Sequence, residues 1–194
     1  MLNTPDAKSY RGYKDLYHNQ KQGIDYEITV LPKATSKVAI IAPHAGAIER
    51  DTSQVARAIA GNDFNLYLFE GIRSSNNYEA LHLSSHLFDE PECLSLISDI
   101  PTVVSIHGCN GREPIIYLGG LNSELNEQLV DALSTIEIIV KVDGHAYPGI
   151  NPKNICNRGL TKKGVQIELT DVLRGTTLST EVVSKVRQVL LNLD

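Results

Sequence analysis

Two histidines and one glutamate occupy positions where they could hold a metal ion. His44 follows the apolar run VAIIA through Pro43, Glu49 lies five residues later, and His107 ends the apolar run TVVSI. Two imidazoles and one carboxylate form a ligand set that suits zinc and leaves a fourth position open for water. Zinc lowers the pKa of such a water to about 7 and polarises a carbonyl group. These residue types therefore favour a metal-dependent hydrolase.

Glu168 is the candidate for proton transfer. In the segment VQIEL, apolar and polar residues alternate, so Glu168 points to the opposite sheet face from its apolar neighbours. A carboxylate in the middle of a strand is disfavoured unless it has a partner or a task. Each feature also has a structural explanation. Either histidine could be a hydrogen-bonded structural residue at a strand end, Glu49 could interact with the amides at the start of the following helix, and Glu168 could be an exposed carboxylate on an edge strand.

The elements that must position these residues alternate between strand and helix. Short runs rich in Val and Ile predict strands over residues 37–42, 65–70, 102–107, 114–118, 137–142 and 165–170. Amphipathic spacing predicts helices over residues 53–60, 122–133 and 180–191. This alternation predicts an α/β fold with a central mixed, mostly parallel sheet flanked by helices. Sites in such sheets lie beyond the carboxyl ends of the strands, where both histidines are expected.

Length and composition limit the other possibilities. The 194 residues suit a single domain, residues 1–194, in which residues 1–25 form a polar lead-in with one short helix. The net charge of -5 and the lack of a basic stripe argue against a nucleic-acid partner. No apolar run would span a membrane and no signal peptide is visible, so we expect a cytoplasmic protein that lysis could release. Three widely spaced cysteines fit a reducing compartment.

Five segments together resemble the phage-type poly-γ-glutamate hydrolase family, whose bacterial members are often labelled phage-related replication proteins. They are residues 43–49, 81–91, 105–108, 157–159 and 164–169, and the resemblance runs in order over residues 26–174. It implies a fold and a site similar to those of zinc carboxypeptidases, with one Zn²⁺ per chain. His44, Glu49 and His107 match the metal ligands, and Glu168 matches the catalytic carboxylate. The gap between the first His and the Glu is longer than in carboxypeptidases.

The resemblance also implies an anionic glutamate polymer as substrate, cleaved by a monomeric enzyme. Such a polymer carries a free α-carboxylate on every residue, and arginine binds carboxylates through a planar fork. We expect Arg158 and its neighbour Asn157 to bind substrate, with Arg112 and Arg50 as weaker candidates. His82 is expected either to orient the substrate or to be structural.

Two alternatives to the polymer hydrolase stay open. The first keeps the chemistry and changes the substrate to a small acyl-glutamate or a cell-wall γ-glutamyl peptide. The second is a non-catalytic phage-related accessory protein that uses the fold for binding. An intact set of ligands together with Glu168 favours catalysis over this second alternative.

Overall fold

A seven-stranded sheet forms the centre of the molecule. The computed structural model describes residues 10–193, and the sheet order is β1-β3-β2-β4-β7-β5-β6. The strands are β1 (Tyr26–Leu31), β2 (Val38–Gly46), β3 (Asn65–Gly71), β4 (Thr102–Cys109), β5 (Ile115–Gly120), β6 (Ile139–Lys141) and β7 (Val165–Thr170). β1 pairs antiparallel with β3, and β5 pairs antiparallel with β7, while the other neighbours are parallel. The predicted mixed, mostly parallel sheet is confirmed.

Helices cover both faces of this sheet. They are α1 (Tyr13–Asn19), α2 (Thr52–Ala60), α3 (Asn77–Leu81), α4 (Pro91–Ile97), α5 (Ser123–Leu133) and α6 (Thr177–Leu191), together with a 3₁₀ helix (Ile155–Arg158). In α5, Leu125, Leu129 and Leu133 recur every four residues, so they form one stripe and are all buried. α2, α5 and α6 pack their apolar sides on one face of the sheet, which we call the first face.

The second face divides into a closely packed half and an open half. Residues from α1 and α4 pack against Tyr67 and Phe69 of β3 there. Over β4 and β7 the cover is the short 3₁₀ helix and the connection 142–154, in which Asn154 bonds to Gln166 of β7. Alternation sends Val104 and Ile106 of β4 to the first face, and its intervening residues to the second. Polar side chains of β4 and β7 therefore have room on the second face.

The structure extends several elements beyond the residues expected from the sequence. β1 was not predicted, since its exposed edge position gives a mixed pattern with Tyr26 fully buried and its neighbours partly exposed. β2 continues past the predicted end at residue 42, so His44 lies inside a strand and not in the loop after it, and β4 continues two residues past His107. Between residues 10 and 193, no helix has the length and apolar character needed to cross a bilayer.

Candidate active site

The candidate site begins where β2 and β4 end. These strands are parallel, with Val38 opposite Thr102, so their carboxyl ends meet at the same sheet edge. The pairing of β2 with β3 is irregular between residues 42 and 45, and His44 lies in this irregular stretch. After β2 the chain turns back, and the backbone N–H of Glu49 donates to the carbonyl of His44 at 2.9 Å. This turn places the Glu49 side chain beside His44.

Three side chains converge on one point at this edge. His44 Nδ1 lies 2.9 Å from Glu49 Oε1 and 3.1 Å from His107 Nδ1. His107 Nδ1 lies 3.6 Å from Glu49 Oε2. Both imidazoles are buried, and the Glu49 side chain is 10% exposed. The structure therefore brings the predicted ligands together, although His107 lies 58 residues after Glu49 and 63 residues after His44 in the sequence.

The outer atoms of these groups are held by the protein. His44 Nε2 donates to the carbonyl of Leu83 at 2.8 Å, because a carbonyl can only accept. His107 Nε2 is hydrogen-bonded to the hydroxyl of Ser105 at 2.7 Å, and Glu49 Oε2 accepts the backbone N–H of Gly108 at 2.8 Å. Such outer contacts are typical of metal-binding histidines, since they fix the ring and its tautomer. Both rings turn Nδ1 inward.

The electrostatic environment between His44, Glu49 and His107 favours a positive charge. Burial by itself lowers the pKa of His44, but the Glu49 carboxylate outweighs it, so the pKa of His44 is raised. Burial likewise raises the pKa of Glu49, and the two histidines outweigh it and lower that pKa well below its usual range. Three electron-pair donors that face each other are stabilised by a proton or by a metal cation between them.

The three residues fit zinc in chemistry and in spacing. Ligand atoms about 2.0–2.1 Å from a tetrahedral zinc lie about 3.3 Å from one another. The two Nδ1 atoms are 3.1 Å apart, and the Glu49 carboxylate faces both of them, with Oε1 2.9 Å from His44 and Oε2 3.6 Å from His107. Nitrogen and carboxylate ligands are also those that zinc prefers.

His82 is a second candidate for the third ligand. Its possible ligand atom lies within 4.8 Å of those of His44 and Glu49, and its Nε2 is 3.9 Å from Glu49 Oε1. Its ring is tilted by 39° against His44, with centroids 4.1 Å apart, and it stacks on Tyr78 at 4.4 Å. His107 is the nearer of the two to His44, because their Nδ1 atoms lie 3.1 Å apart. Burial lowers the pKa of His82 to about 3.

Glu168 lies beside the histidine pair because of strand register. β4 and β7 are parallel, and His107 is directly opposite Glu168. Neighbouring residues in register point to the same sheet face, so the carboxylate shares the second face with the His107 ring. Glu168 is 6% exposed, and burial raises its pKa, with a smaller opposing effect of His107. A raised pKa suits a carboxylate that exchanges a proton near neutral pH.

A hydrogen-bond chain orients Glu168. The backbone N–H of Cys156 can only donate, and it donates to Asn154 Oδ1 at 3.2 Å. Asn154 Nδ2 is therefore the donor to Gln166 Oε1 at 2.7 Å, and Gln166 Nε2 donates to Glu168 Oε1 at 3.0 Å. The backbone N–H of Cys156 thus fixes the orientation of the Asn154 amide, which in turn fixes that of the Gln166 amide. This series of hydrogen bonds ends on Glu168 Oε1 and does not involve Glu168 Oε2.

These groups line one large cleft. The cleft has a volume of about 1010 Å³, and its walls include His44, Glu49, His82, His107, Gln166 and Glu168. Tyr78 and Tyr147 contribute aromatic surface, while Arg50 and Arg174 supply positive charge. The overall charge of -5 would repel an anionic substrate, so these two arginines are the local attraction that such a substrate requires.

Three residues expected at the substrate lie outside the lining of this cleft. Asn157 is buried and uses both ends of its amide to bind backbone, accepting from Leu121 and Gly164 and donating to Gly149 and Asn151. Arg158 donates to the carbonyl of Phe88 at 3.3 Å. Arg112 is exposed in the connection between β4 and β5. Their contacts give them structural or surface positions, whereas His82 and Arg50 do line the cleft.

Sequence reasoning missed four residues that the structure places at the site. Gln166 and Ser105 each lie two residues before a predicted site residue on the same strand, so their period-2 spacing was a usable signal. Asn154 and Arg174 had no such signal, because loop residues give no direction from sequence alone. Arg174 is the only one of the four that carries a charge.

With the fold and the site described, the chain can be compared with known proteins. The family model for poly-gamma-glutamate hydrolase matches residues 10–189. The chain therefore belongs to the poly-gamma-glutamate hydrolase family, a family of hydrolases.

Particular relatives agree with this assignment. YndL of Bacillus subtilis is 33% identical over 85% of this chain and 65% of its own length, and YmaC of the same organism is 34% identical over 87% and 70%. The chain thus spans about two thirds of the length of these curated relatives. A bacteriophage poly-gamma-glutamate hydrolase superimposes with a TM-score of 0.89 at 27% identity, covering 95% of this chain and 97% of the other. A zinc-free form of YndL gives 0.87 at 28%, covering 95% and 98%.

Proposed function

We propose that this protein is a zinc-dependent hydrolase that cleaves γ-glutamyl amide bonds, with poly-γ-glutamate as its substrate. The observation that carries the proposal is the convergence of His44 Nδ1, His107 Nδ1 and the Glu49 carboxylate beside Glu168 in a large cleft. Membership of the poly-gamma-glutamate hydrolase family and the zinc-free description of YndL support the choice of polymer and metal.

In this proposal His44, Glu49 and His107 hold one zinc ion per chain. Bound there, zinc supplies a Lewis acid that lowers the pKa of water and polarises an amide carbonyl. Glu168 accepts the proton of the attacking water on Oε2 and then gives it to the departing amine nitrogen. Gln166 keeps Oε1 occupied, so that the proton is handled by the other oxygen.

The cleft walls contribute to binding and orientation. His82 lies between the rings of His44 and Tyr78, and its lowered pKa keeps it neutral, so it forms a hydrogen bond with the substrate without carrying a charge. Arg50 lies exposed at the cleft wall, where it attracts carboxylates of the polymer.

One experiment tests both the reaction and the metal. Purified protein is incubated with poly-γ-glutamate and with a panel of small γ-glutamyl amides, before and after removal of metal by a chelator and after return of zinc. We expect the polymer to shorten, the chelator to stop cleavage, and zinc at about one ion per chain to restore it. Cleavage that the chelator leaves unchanged would contradict the metal. Cleavage of the small amides alone would replace the polymer with a small γ-glutamyl substrate.

A further inference from the structure

Arg174 is a buried cation that forms no contact ion pair. It is 8% exposed, and within residues 10–193 it has no carboxylate within 4.0 Å, whereas Arg57, Arg73 and Arg187 each have one. Glu168 and Asp171 interact with its charge only from a longer distance. A protein keeps such a group where it has a task, and Arg174 lies in the wall of the cleft that holds Glu168.

One side of the guanidinium is fixed by backbone. Nη1 donates to the carbonyl of Cys109 at 3.2 Å and to the carbonyl of Leu169, at the ends of β4 and β7. The group packs directly on Gly108, where a Cβ atom would come within 2.3 Å of Nη1. Glycine at position 108 therefore makes room for the guanidinium, immediately after His107.

The other side of the guanidinium is unused. Nε is buried and has no hydrogen-bond partner among the described residues. Nη2 makes no hydrogen bond either, and it is not buried, so it is the guanidinium nitrogen that is open to the cleft. A charged N–H group that is held in place by its backbone-bonded neighbour suits a carboxylate oxygen as its acceptor.

We propose that Arg174 is the carboxylate-binding residue of the cleft and selects for a γ-linked substrate. This inference rests on the proposed function. In a γ-linked glutamate chain, the carbon bonded to the amide nitrogen also carries the free α-carboxylate. In an α-linked chain, the free carboxylate is two methylene groups farther from that nitrogen. An arginine fixed one residue beyond the position of His107 reaches a carboxylate beside the scissile bond, so the linkage is read by that distance.

Two matched substrates test this role without any substitution. The first is a γ-linked glutamyl dipeptide, and the second carries a carboxamide in place of the α-carboxylate next to the scissile bond. A hydrogen-bonded pair with a charged group contributes about 1.5–3 kcal/mol, which corresponds to a factor of about 10 to 150. We expect wild-type kcat/KM to favour the carboxylate by this factor. Equal rates on the two substrates would overturn the proposal, whatever the variants do.

Variants then assign the preference to Arg174. In Arg174→Gln the preference should fall to nearly one, and Arg174→Lys should keep only part of it, since a single ammonium cannot bond both backbone carbonyls and still present a separate fixed N–H group to the substrate. The matched control is Arg57→Met, an exposed arginine paired with Glu70, which should keep the wild-type preference. A preference that persists in Arg174→Gln would overturn the role of Arg174.

Binding to labelled poly-γ-glutamate, measured by fluorescence anisotropy on chelator-treated protein, provides a readout that needs no turnover. Arg174→Gln should weaken binding at least about tenfold relative to wild type and to Arg57→Met, and equal binding by all three proteins would contradict the inference. If the wild-type protein cleaves neither substrate and the Arg174→Gln variant binds the polymer more weakly than wild type, the proposed reaction fails and the carboxylate site stands. If wild type cleaves and its preference survives the substitution, the reaction stands and the Arg174 site fails.

Discussion

Replacing Gln166 by Leu removes the hydrogen bond that orients Glu168 while keeping a side chain of similar size. In the structure Gln166 Nε2 donates to Glu168 Oε1 at 3.0 Å, and both side chains are buried. A donor to a carboxylate stabilises its ionised form and lowers its pKa, so loss of the donor raises that pKa. A hydrogen bond to a charged group contributes about 1.5–3 kcal/mol, which at 1.36 kcal/mol per unit corresponds to a rise of about one to two units.

The assay is the pH dependence of kcat/KM. Glu168 must be ionised to accept a proton, so the acid limb of the profile should move to higher pH by about one to two units in Gln166→Leu. Zinc content should stay at the wild-type value, because Gln166 contacts none of the proposed ligands. Asn154→Ala serves as the comparison, since it frees the Gln166 amide without removing it and should shift the limb in the same direction by less. A profile that keeps the wild-type acid limb would contradict the role of Gln166 in setting the pKa of Glu168.

Five further substitutions separate the roles assigned to individual residues. Glu168→Gln should keep zinc and lower kcat by roughly a hundred- to ten-thousand-fold, and loss of zinc in this variant would make Glu168 a ligand. His82→Ala should keep zinc while His107→Ala loses it; the reverse, measured by metal analysis, would make His82 the third ligand. Ser105→Ala should weaken zinc affinity about 10- to 100-fold in a competition titration, because it removes the partner of His107 Nε2, and unchanged affinity would contradict that role. Asn157→Leu should reduce the free energy of unfolding by about 3 kcal/mol or more in urea, because it strands buried backbone groups, and a raised KM without loss of stability would return Asn157 to the substrate site.

The sequence predicted the parts of this site that strands control. Glu168 was recognisable because strand alternation turns it away from Val165, Ile167 and Leu169, and the structure places these three in the core of the first face. The parallel pairing that sets Glu168 beside His107 follows from the same regular geometry. Strand periodicity gives the face of a residue, and this is enough when the partner residues are also on strands.

Loop residues were predicted less well, for a physical reason. Asn157 and Arg158 lie next to the site in sequence, but a 3₁₀ helix turns them toward the backbone of neighbouring segments. Arg174 follows β7 in a turn, and its hydrogen bonds to Cys109 and Leu169 together with its packing on Gly108 bring its guanidinium back to the cleft. Side-chain direction in such segments depends on tertiary contacts, which spacing along the chain does not encode.

The position of β7 in the sheet has a consequence for the order of folding. Among the strands of residues 10–193, β7 is the last along the chain, yet it lies between β4 and β5, near the middle of the sheet. A chain in which β7 is not yet inserted leaves the edges of β4 and β5 unpaired, and open edges of this kind recruit other chains. His44, Glu49 and His107 all precede β7, so the three proposed metal ligands are synthesised before the strand that brings Glu168. Insertion of one strand therefore closes the sheet and supplies the proposed proton acceptor together, so an incompletely folded molecule would carry the proposed ligands without the carboxylate that the proposed reaction requires.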